Sequence, residues 1–223
     1  GYSNPWKKPY WYRTRFSVPA SDRGRHFQLI FKGINYRAAL WINGKQIADS
    51  ADMAGMFAQY SFDISEYVKA GEENAIAVKI YPLDYPGLPA PEQLEALGDF
   101  YLNGGPTGDI GKNVTMLCSV GWDWMPPVRD RNMGIWQPVY LRTSGGVTFS
   151  NPKLVTELPD LPDTNLAKLS LKLSLINHNK VNENGNLIVT ITPGNFKGKP
   201  VKFTKSVAVA GNGSLMVDLN GTN

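Results

Sequence analysis

The stretch YRAALWINGKQIA, residues 36–48, carries the strongest indication of the fold. Ala38, Leu40 and Ile42 recur at every second position, which places their side chains on one face of a β-strand. Asn43-Gly44 then supplies the two-residue turn of a β-hairpin, because both residues tolerate the positive φ angles that this turn requires. The stretch therefore predicts a hairpin with one buried face.

The same period of two recurs elsewhere before residue 146. Each run is short and ends in turn residues, a pattern typical of a β-sandwich or jelly roll. The runs with apolar residues at alternate positions are residues 12–16, 27–31, 76–80 and 139–141.

A long irregular segment, residues 81–120, interrupts this rhythm. Within it, LDYPGLPAPEQLEALG at residues 83–98 predicts one short helix, with Pro91 at its first position and Gly98 at its end. Long loops inside a β domain are more often binding elements than spacers. We therefore expect this segment to lead into a binding site.

After Gly145-Gly146 the strands become cleanly alternating and almost free of aromatic residues. They are LSLKLSL (169–175), LIVTI (187–191), VKFTKSVAV (201–209) and LMVDL (215–219). We therefore predict an all-β chain with a jelly-roll domain at residues 1–146 and an immunoglobulin-like sandwich at residues 147–223. Only four or five strands are visible where about seven are expected, so we expect the second sandwich to be incomplete.

The composition excludes several classes of protein. The net charge of +4 comes from 23 basic and 19 acidic residues without a basic cluster, which argues against nucleic acid as a partner. No apolar run approaches the roughly 20 residues that span a membrane. Cys118, His26 and His178 are too few for a zinc site or a histidine-dependent hydrolase. We expect no metal and no cofactor.

The segment GWDWMPPVRDRNMGIW, residues 121–136, contains three tryptophans, two aspartates and two arginines. A pyranose ring has an apolar face and a rim of hydroxyl groups, so its receptor needs an aromatic plate beside charged or amide groups. The segment offers both, and it predicts a saccharide-binding site. The candidate binding residues are Trp122, Asp123, Trp124, Arg129, Asp130, Arg131 and Asn132.

Structural roles compete with binding for several of these residues. Arg129, Asp130 and Arg131 could brace the loop through salt bridges, and Asp123 could cap or brace it. The remaining tryptophans fall on strand patterns, so we expect them to be packing residues. These are Trp6, Trp11, Trp41 and Trp136, of which the last is expected in the core.

Residues 29–81 resemble the sugar-binding, galactose-binding-domain-like jelly roll of glycoside hydrolase family 2. The resemblance lies in the WINGK hairpin, the FDISEYV turn and the GEENAIAVKI strand. Residues 121–141 resemble the end of that domain in exo-β-glucosaminidases, β-mannosidases and mannosylglycoprotein endo-β-mannosidases. β-Mannosidases usually continue from the Trp-Asp pair to Gly-Pro. The sequence Met125-Pro126-Pro127 departs from this and favours the other two groups.

The resemblance implies a role for Trp122 and Asp123. In such enzymes this pair reaches into the active site of a neighbouring TIM barrel, and the aspartate binds sugar hydroxyls. Both catalytic glutamates of the retaining reaction lie on that barrel, which takes about 250 residues that do not follow here. Glu92 and Glu95 lie in no segment that we expect to form a catalytic cleft, so we expect no catalytic residue in this chain.

We thus expect this chain to be the non-catalytic N-terminal portion of a retaining glycosidase that acts on β-glucosaminides or β-mannosides. Its partners would be the carbohydrate substrate and its own C-terminal barrel, in the periplasm or outside the cell by analogy. Two alternatives stay open: a free-standing carbohydrate-binding module and a structural or adhesive β protein.

Overall fold

Nearly all regular structure in the described part of the chain is β-strand. The structure is a computed structural model that describes residues 8–83, 92, 95, 113, 115 and 133–220. It contains 14 strands in these residues, so the all-β prediction is confirmed. The chain divides into unit 1, Gly1–Thr143, and unit 2, Ser144–Asn223. The sequence predicts a domain boundary at residue 146.

Unit 1 is a β-sandwich built mainly from one sheet of four strands and one of three. The four-stranded sheet has the order β1-β7-β4-β5, the three-stranded sheet has the order β6-β2-β9, and β3 pairs with β8. The strands are β1 (Tyr10–Ser17), β2 (His26–Phe31), β3 (Ile34–Asn35), β4 (Arg37–Ile42), β5 (Lys45–Ala48), β6 (Tyr60–Asp63), β7 (Glu73–Tyr81), β8 (Gly134–Ile135) and β9 (Val139–Ser144).

The core of unit 1 lies between these sheets and is formed mainly by the predicted faces of β2, β4 and β7. All of the alternating residues of β2 and β4 are buried, together with Val78 and Ile80 of β7. The hairpin between β4 and β5 turns at Asn43 and Gly44, whose φ angles are 50° and 82°. Both angles are positive, as the predicted type of turn requires.

A pair of asparagines, of which Asn74 is fully buried, connects this hairpin to the turn before β7. The Asn43 side-chain amide donates to Asn74 Oδ1 at 2.8 Å, and Asn43 Oδ1 accepts from the Ala75 backbone N–H at 2.8 Å. Asn74 Oδ1 also accepts from Lys69 N–H at 2.8 Å, and its amide donates to Lys69 O at 3.0 Å. The motifs WINGK, EYVKAG and GEEN are therefore joined by one polar network.

Unit 2 is a smaller sandwich with a sheet of order β10-β11-β14 and a β12-β13 pair. Its strands are β10 (Val147–Glu157), β11 (Lys168–Asn177), β12 (Glu183–Ile191), β13 (Val201–Val209) and β14 (Ser214–Asn220). Leu173, Leu175, Val209 and Val217 form its buried core. An apolar cleft of about 310 Å³ lies between the sheets, lined by leucines of β10, β11 and β14 and by Val189, Ile191 and Phe203.

Two tryptophans depart from the predicted packing roles. Trp11 contacts Trp41, with ring centroids 5.0 Å apart, yet 53% of its surface is exposed. It lies on the outer face of the edge strand β1, where it can pack against side chains of its own sheet but not against a second layer. Trp136 is 37% exposed, so the prediction that it belongs to the core is wrong. Trp6 lies outside the described residues.

The predicted helix falls almost entirely outside the described residues. Glu92 and Glu95, which are described singly, both have helical backbone. In the described part of the chain, no helix has the length and apolar character that a membrane span needs.

Candidate functional site

The predicted binding segment is described only at its two ends. Trp122, Asp123, Trp124, Arg129, Asp130, Arg131 and Asn132 all lie outside the described residues. The structure therefore places none of these side chains. It does describe the strand that leads into residues 84–132 and the strand that leads out of them.

Both ends of residues 84–132 are attached to the same short stretch of chain. On the incoming side, Tyr81 at the end of β7 pairs with Arg37. On the outgoing side, Gly134 in β8 pairs with the buried Asn35. The strands that lead into and out of the segment thus pair with residues only two positions apart in sequence.

Backbone hydrogen bonds anchor the outgoing end. Trp136 N–H and Gln137 N–H both donate to Gly33 O, at 3.3 and 3.4 Å, and Lys32 N–H donates to Pro138 O at 3.1 Å. The indole N–H of Trp136 donates to Met56 O at 3.0 Å. Its ring lies edge-on to Phe57, with centroids 6.1 Å apart. Trp136 therefore anchors the end of the segment at the rim of the sandwich instead of filling the core.

Two glycines allow the chain to approach closely at this point. A Cβ atom on Gly33 would lie 2.6 Å from Trp136 Nε1, and one on Gly134 would lie 2.6 Å from Tyr12 Oη. Gly134 also has a φ of 149°, a conformation that side chains disfavour. The predictions from sequence include neither residue. An isolated glycine beside a strand pattern is the signal that could have identified them.

A turn at residues 52–58 supports the stretch to which both ends are attached. Gly55 N–H donates to Tyr36 O at 2.8 Å, and Ala38 N–H donates to Met53 O at 2.9 Å. The Tyr60 hydroxyl donates to Gly55 O at 3.1 Å. Burial raises the pKa of Tyr60 above its ordinary value, Tyr36 raises it further, and Arg37 opposes both. Tyr60 therefore stays protonated and able to donate at neutral pH.

Acidic residues near this turn have structural roles. Asp52 Oδ2 accepts from Asp49 N–H at 2.9 Å, and Asp49 Oδ1 accepts from Ala51 N–H at 2.7 Å. These carboxylates satisfy backbone donors of one exposed turn, as short polar side chains commonly do. Their environment is not that of a catalytic carboxyl pair in a cleft.

His26, Asp63 and Ser65 come together but do not form a hydrolase triad. His26 Nδ1 lies 3.1 Å from Ser65 Oγ and 3.4 Å from Asp63 Oδ2, so the hydroxyl and the carboxylate approach the same ring nitrogen. A triad needs them on opposite nitrogens. Ser65 Oγ also accepts from Phe27 N–H at 2.9 Å. This cluster holds the FDIS turn against β2.

Comparison with known proteins identifies the family of unit 1. The family model described as the glycosyl hydrolase 2 galactose-binding domain-like domain matches residues 3–137. The chain belongs to glycoside hydrolase family 2. The matched residues contain both attachments and the segment between them, so the family resemblance of the sequence is confirmed.

Two relatives and one crystal structure show how much of this chain is similar to known glycosidases. A mannosylglycoprotein endo-β-mannosidase of Lilium longiflorum is 38% identical over 155 residues, covering 68% of this chain. An exo-β-D-glucosaminidase of Streptomyces avermitilis is 30% identical over 203 residues, covering 91% of it. The exo-chitosanase CsxA of Amycolatopsis orientalis matches 96% of this chain with a TM-score of 0.68 and 26% identity.

This chain corresponds to a small part of each of these proteins. It spans 15% of the endo-β-mannosidase and 18% of the exo-β-D-glucosaminidase. It spans 20% of the CsxA chain in the crystal structure. The similarity therefore identifies one region of larger glycosidases, and the activity of the whole enzymes is a separate question.

Proposed function

We propose that this chain is the non-catalytic N-terminal portion of a retaining glycosidase that cleaves β-glucosaminides or β-mannosides. The names of the two relatives support these substrate classes, and the small share of each relative that the chain spans supports a partial role. Bond cleavage in the retaining reaction needs two carboxyl groups about 5–5.5 Å apart. In this proposal a TIM barrel supplies them.

The attachment of residues 84–132 at both ends is the observation that carries the proposal. A binding loop contributes most when rigid elements fix its ends, and here Asn35 and Arg37 on adjoining strands do so. Trp122 would then offer an aromatic plate to the apolar face of a sugar. Asp123 would accept hydrogen bonds from neighbouring hydroxyl groups, and such charge-assisted bonds are about twice as strong as neutral ones.

The proposal predicts that the chain alone is inactive. Purified residues 1–223 should show no turnover of p-nitrophenyl β-D-glucosaminide or β-D-mannoside, because the reacting carboxyl groups are elsewhere. Calorimetry with glucosamine, mannose and chitosan oligomers should detect little or no binding, since half of the pocket is missing. Measurable turnover by this chain would contradict the proposal. Sugar binding that Asp123→Ala abolishes would instead favour a free-standing carbohydrate-binding module.

A further inference from the structure

The outer face of the four-stranded sheet in unit 1 has an unusual surface, which we call the Trp11 face. Side chains alternate along β1, and the register with β7 and β4 shows which residues share this face. Buried residues such as Leu40 and Val78 occupy the opposite face, toward the core. The side chains on the Trp11 face include Trp11, Arg13, Arg15, Arg37, Trp41, Glu73, Ala75, Ala77, Lys79 and Tyr81.

A trough runs along the middle of the Trp11 face. Ala77 pairs with Arg13 on one side and with Trp41 on the other. Ala75 pairs with Arg15 and bonds to the Asn43 side chain of the hairpin. The two alanines therefore form a low floor between taller neighbours. The resulting space of about 540 Å³ is lined by both tryptophans, both arginines of β1 and Gly44.

Aromatic rings close one end of the trough. The rings of Trp11 and Trp41 have centroids 5.0 Å apart and planes tilted by 44°. Lys79 Nζ lies 5.7 Å from the centroid of Trp11 and 4.8 Å from that of Tyr81. Exposed aromatic groups that cluster in this way mark binding surfaces more often than ordinary surface does. Apolar sugar faces are a suitable partner for such tilted, accessible rings.

The charge of the face is positive. Arg13, Arg15, Arg37 and Lys79 are basic, and the acid among the members of this face is Glu73. Glu73 Oε1 accepts a bond from Arg15 at 2.8 Å, but the two side chains are 58% and 74% exposed, so this pair is weak and exchangeable. Arg13 makes no ion pair with any described residue. Guanidinium groups at the side of a trough match carboxylates in a bidentate geometry.

We propose that the Trp11 face is a second saccharide-binding surface, specific for polysaccharide chains that carry carboxylates. Sugar rings would lie on Trp11 and Trp41, and uronic acid groups would pair with Arg13 and Arg15 across the alanine floor. A cationic chain such as chitosan would be repelled. The surface lies apart from the segment of Trp122 and Asp123 in sequence and does not depend on the proposed function.

Affinity electrophoresis of residues 1–223 in gels that contain polygalacturonate tests this proposal. The chain is basic, with a sequence pI near 9.0, so retardation by a polyanion alone is no support. Trp11→Ala leaves the charge unchanged and should weaken retention about tenfold. Arg13→Gln should weaken it severalfold. Glu73→Gln, which removes the acid from the face, should strengthen it.

Matched control variants and polymers separate recognition of sugar rings from attraction by charge. Phe196→Ala removes a ring of unit 2 that is also exposed, keeps the net charge the same and should leave retention unchanged. Dextran sulfate reports attraction by charge alone, chitosan should give no retardation, and neutral hydroxyethyl cellulose should give less than polygalacturonate. Circular dichroism confirms that each variant folds.

Three results would overturn the proposal. The first is equal retention of the wild type and Trp11→Ala by polygalacturonate, which would leave only general charge attraction. The second is a loss of retention by Trp11→Ala in dextran sulfate gels that is as large as its loss in polygalacturonate gels. The third is protection of Trp11 from hydroxyl-radical oxidation in a longer protein that includes this chain, without any sugar, since a protein contact would then occupy the face.

Discussion

The indole nitrogen of Trp136 lies 3.0 Å from the backbone oxygen of Met56 and donates a hydrogen bond to it. This bond joins the outgoing end of residues 84–132 to the turn that supports Tyr36. The stretch that leads out of these residues is therefore held by a side chain that is neither core nor freely exposed.

Replacing this donor tests its contribution. Trp136→Phe keeps an aromatic ring but removes the N–H group, and we expect it to destabilise unit 1 by about 1–2 kcal/mol. Urea unfolding followed by circular dichroism measures the change. Trp11→Phe is the matched control, because Trp11 is half-exposed and its indole makes no such bond to a described residue; its effect should stay within about 0.5 kcal/mol. Equal effects of the two changes would contradict the anchoring role.

Gly33 should be coupled energetically to Trp136. A methyl group on Gly33 would lie 2.6 Å from Trp136 Nε1 and 2.8 Å from Cε2, and the hydrogen bond to Met56 keeps the ring from moving away. Gly33→Ala should therefore cost about 1–3 kcal/mol. The cost should fall when Trp136→Phe is already present, because the smaller ring gives way.

A double-mutant cycle of these two changes measures the coupling. Gly145→Ala is the control, since a Cβ atom there meets nothing within 4 Å, and its effect should stay within about 0.5 kcal/mol. Strict additivity of Gly33→Ala and Trp136→Phe would show that the close approach is unimportant.

The asparagine network should be sensitive to loss of one amide. Asn74 accepts from Asn43 and Lys69 and donates to Lys69 O and Glu72 O. Because the side chain is buried, Asn74→Leu would leave several partners unsatisfied and should cost about 3 kcal/mol or more. Thermal unfolding provides the measurement. If Asn74→Leu lowered the stability no more than a substitution of an exposed residue, such as Glu66→Gln, the network would not have the proposed importance.

Alkaline pH should weaken unit 1 through Tyr60. Its pKa is raised in the folded state, chiefly by burial, so the unfolded chain loses this proton first. The stability due to the neutral hydroxyl is complete below the ordinary tyrosine pKa of about 10 and is lost as the pH rises through the raised value. Tyr60→Phe should make the stability of unit 1 fall less steeply above a pH of about 10. Identical slopes for the variant and the wild type would rule out this origin.

Periodicity predicted the long strands because alternation alone shows which residues share one face of a strand. The buried positions of β2 and β4 and the turn at Asn43-Gly44 agree with the sequence in detail. In contrast, β3 and β8 have two residues each, too few for any period. Their pairing depends on contacts between residues about 100 positions apart, for which no local propensity exists.

Sequence patterns also misjudged two described tryptophans of unit 1, Trp11 and Trp136. A strand pattern states which residues share a face but does not reveal whether another layer covers that face. Trp11 lies on the uncovered side of its sheet, and Trp136 lies at the rim. The binding roles of Trp122 and Asp123, like the periplasmic or secreted location, stay predictions.

The most direct test of the proposed saccharide-binding role concerns Asp123 in the longer glycosidase to which the proposal assigns this chain. Asp123→Asn should lower kcat/KM on the cleaved p-nitrophenyl β-D-glycoside by about tenfold to a hundredfold, as expected when a charge-assisted hydrogen bond to substrate is lost. Glu66→Gln, which changes an exposed acid of unit 1, should have no effect. If Asp123→Asn leaves kcat/KM at the wild-type value in a folded enzyme, this segment forms no part of the saccharide pocket.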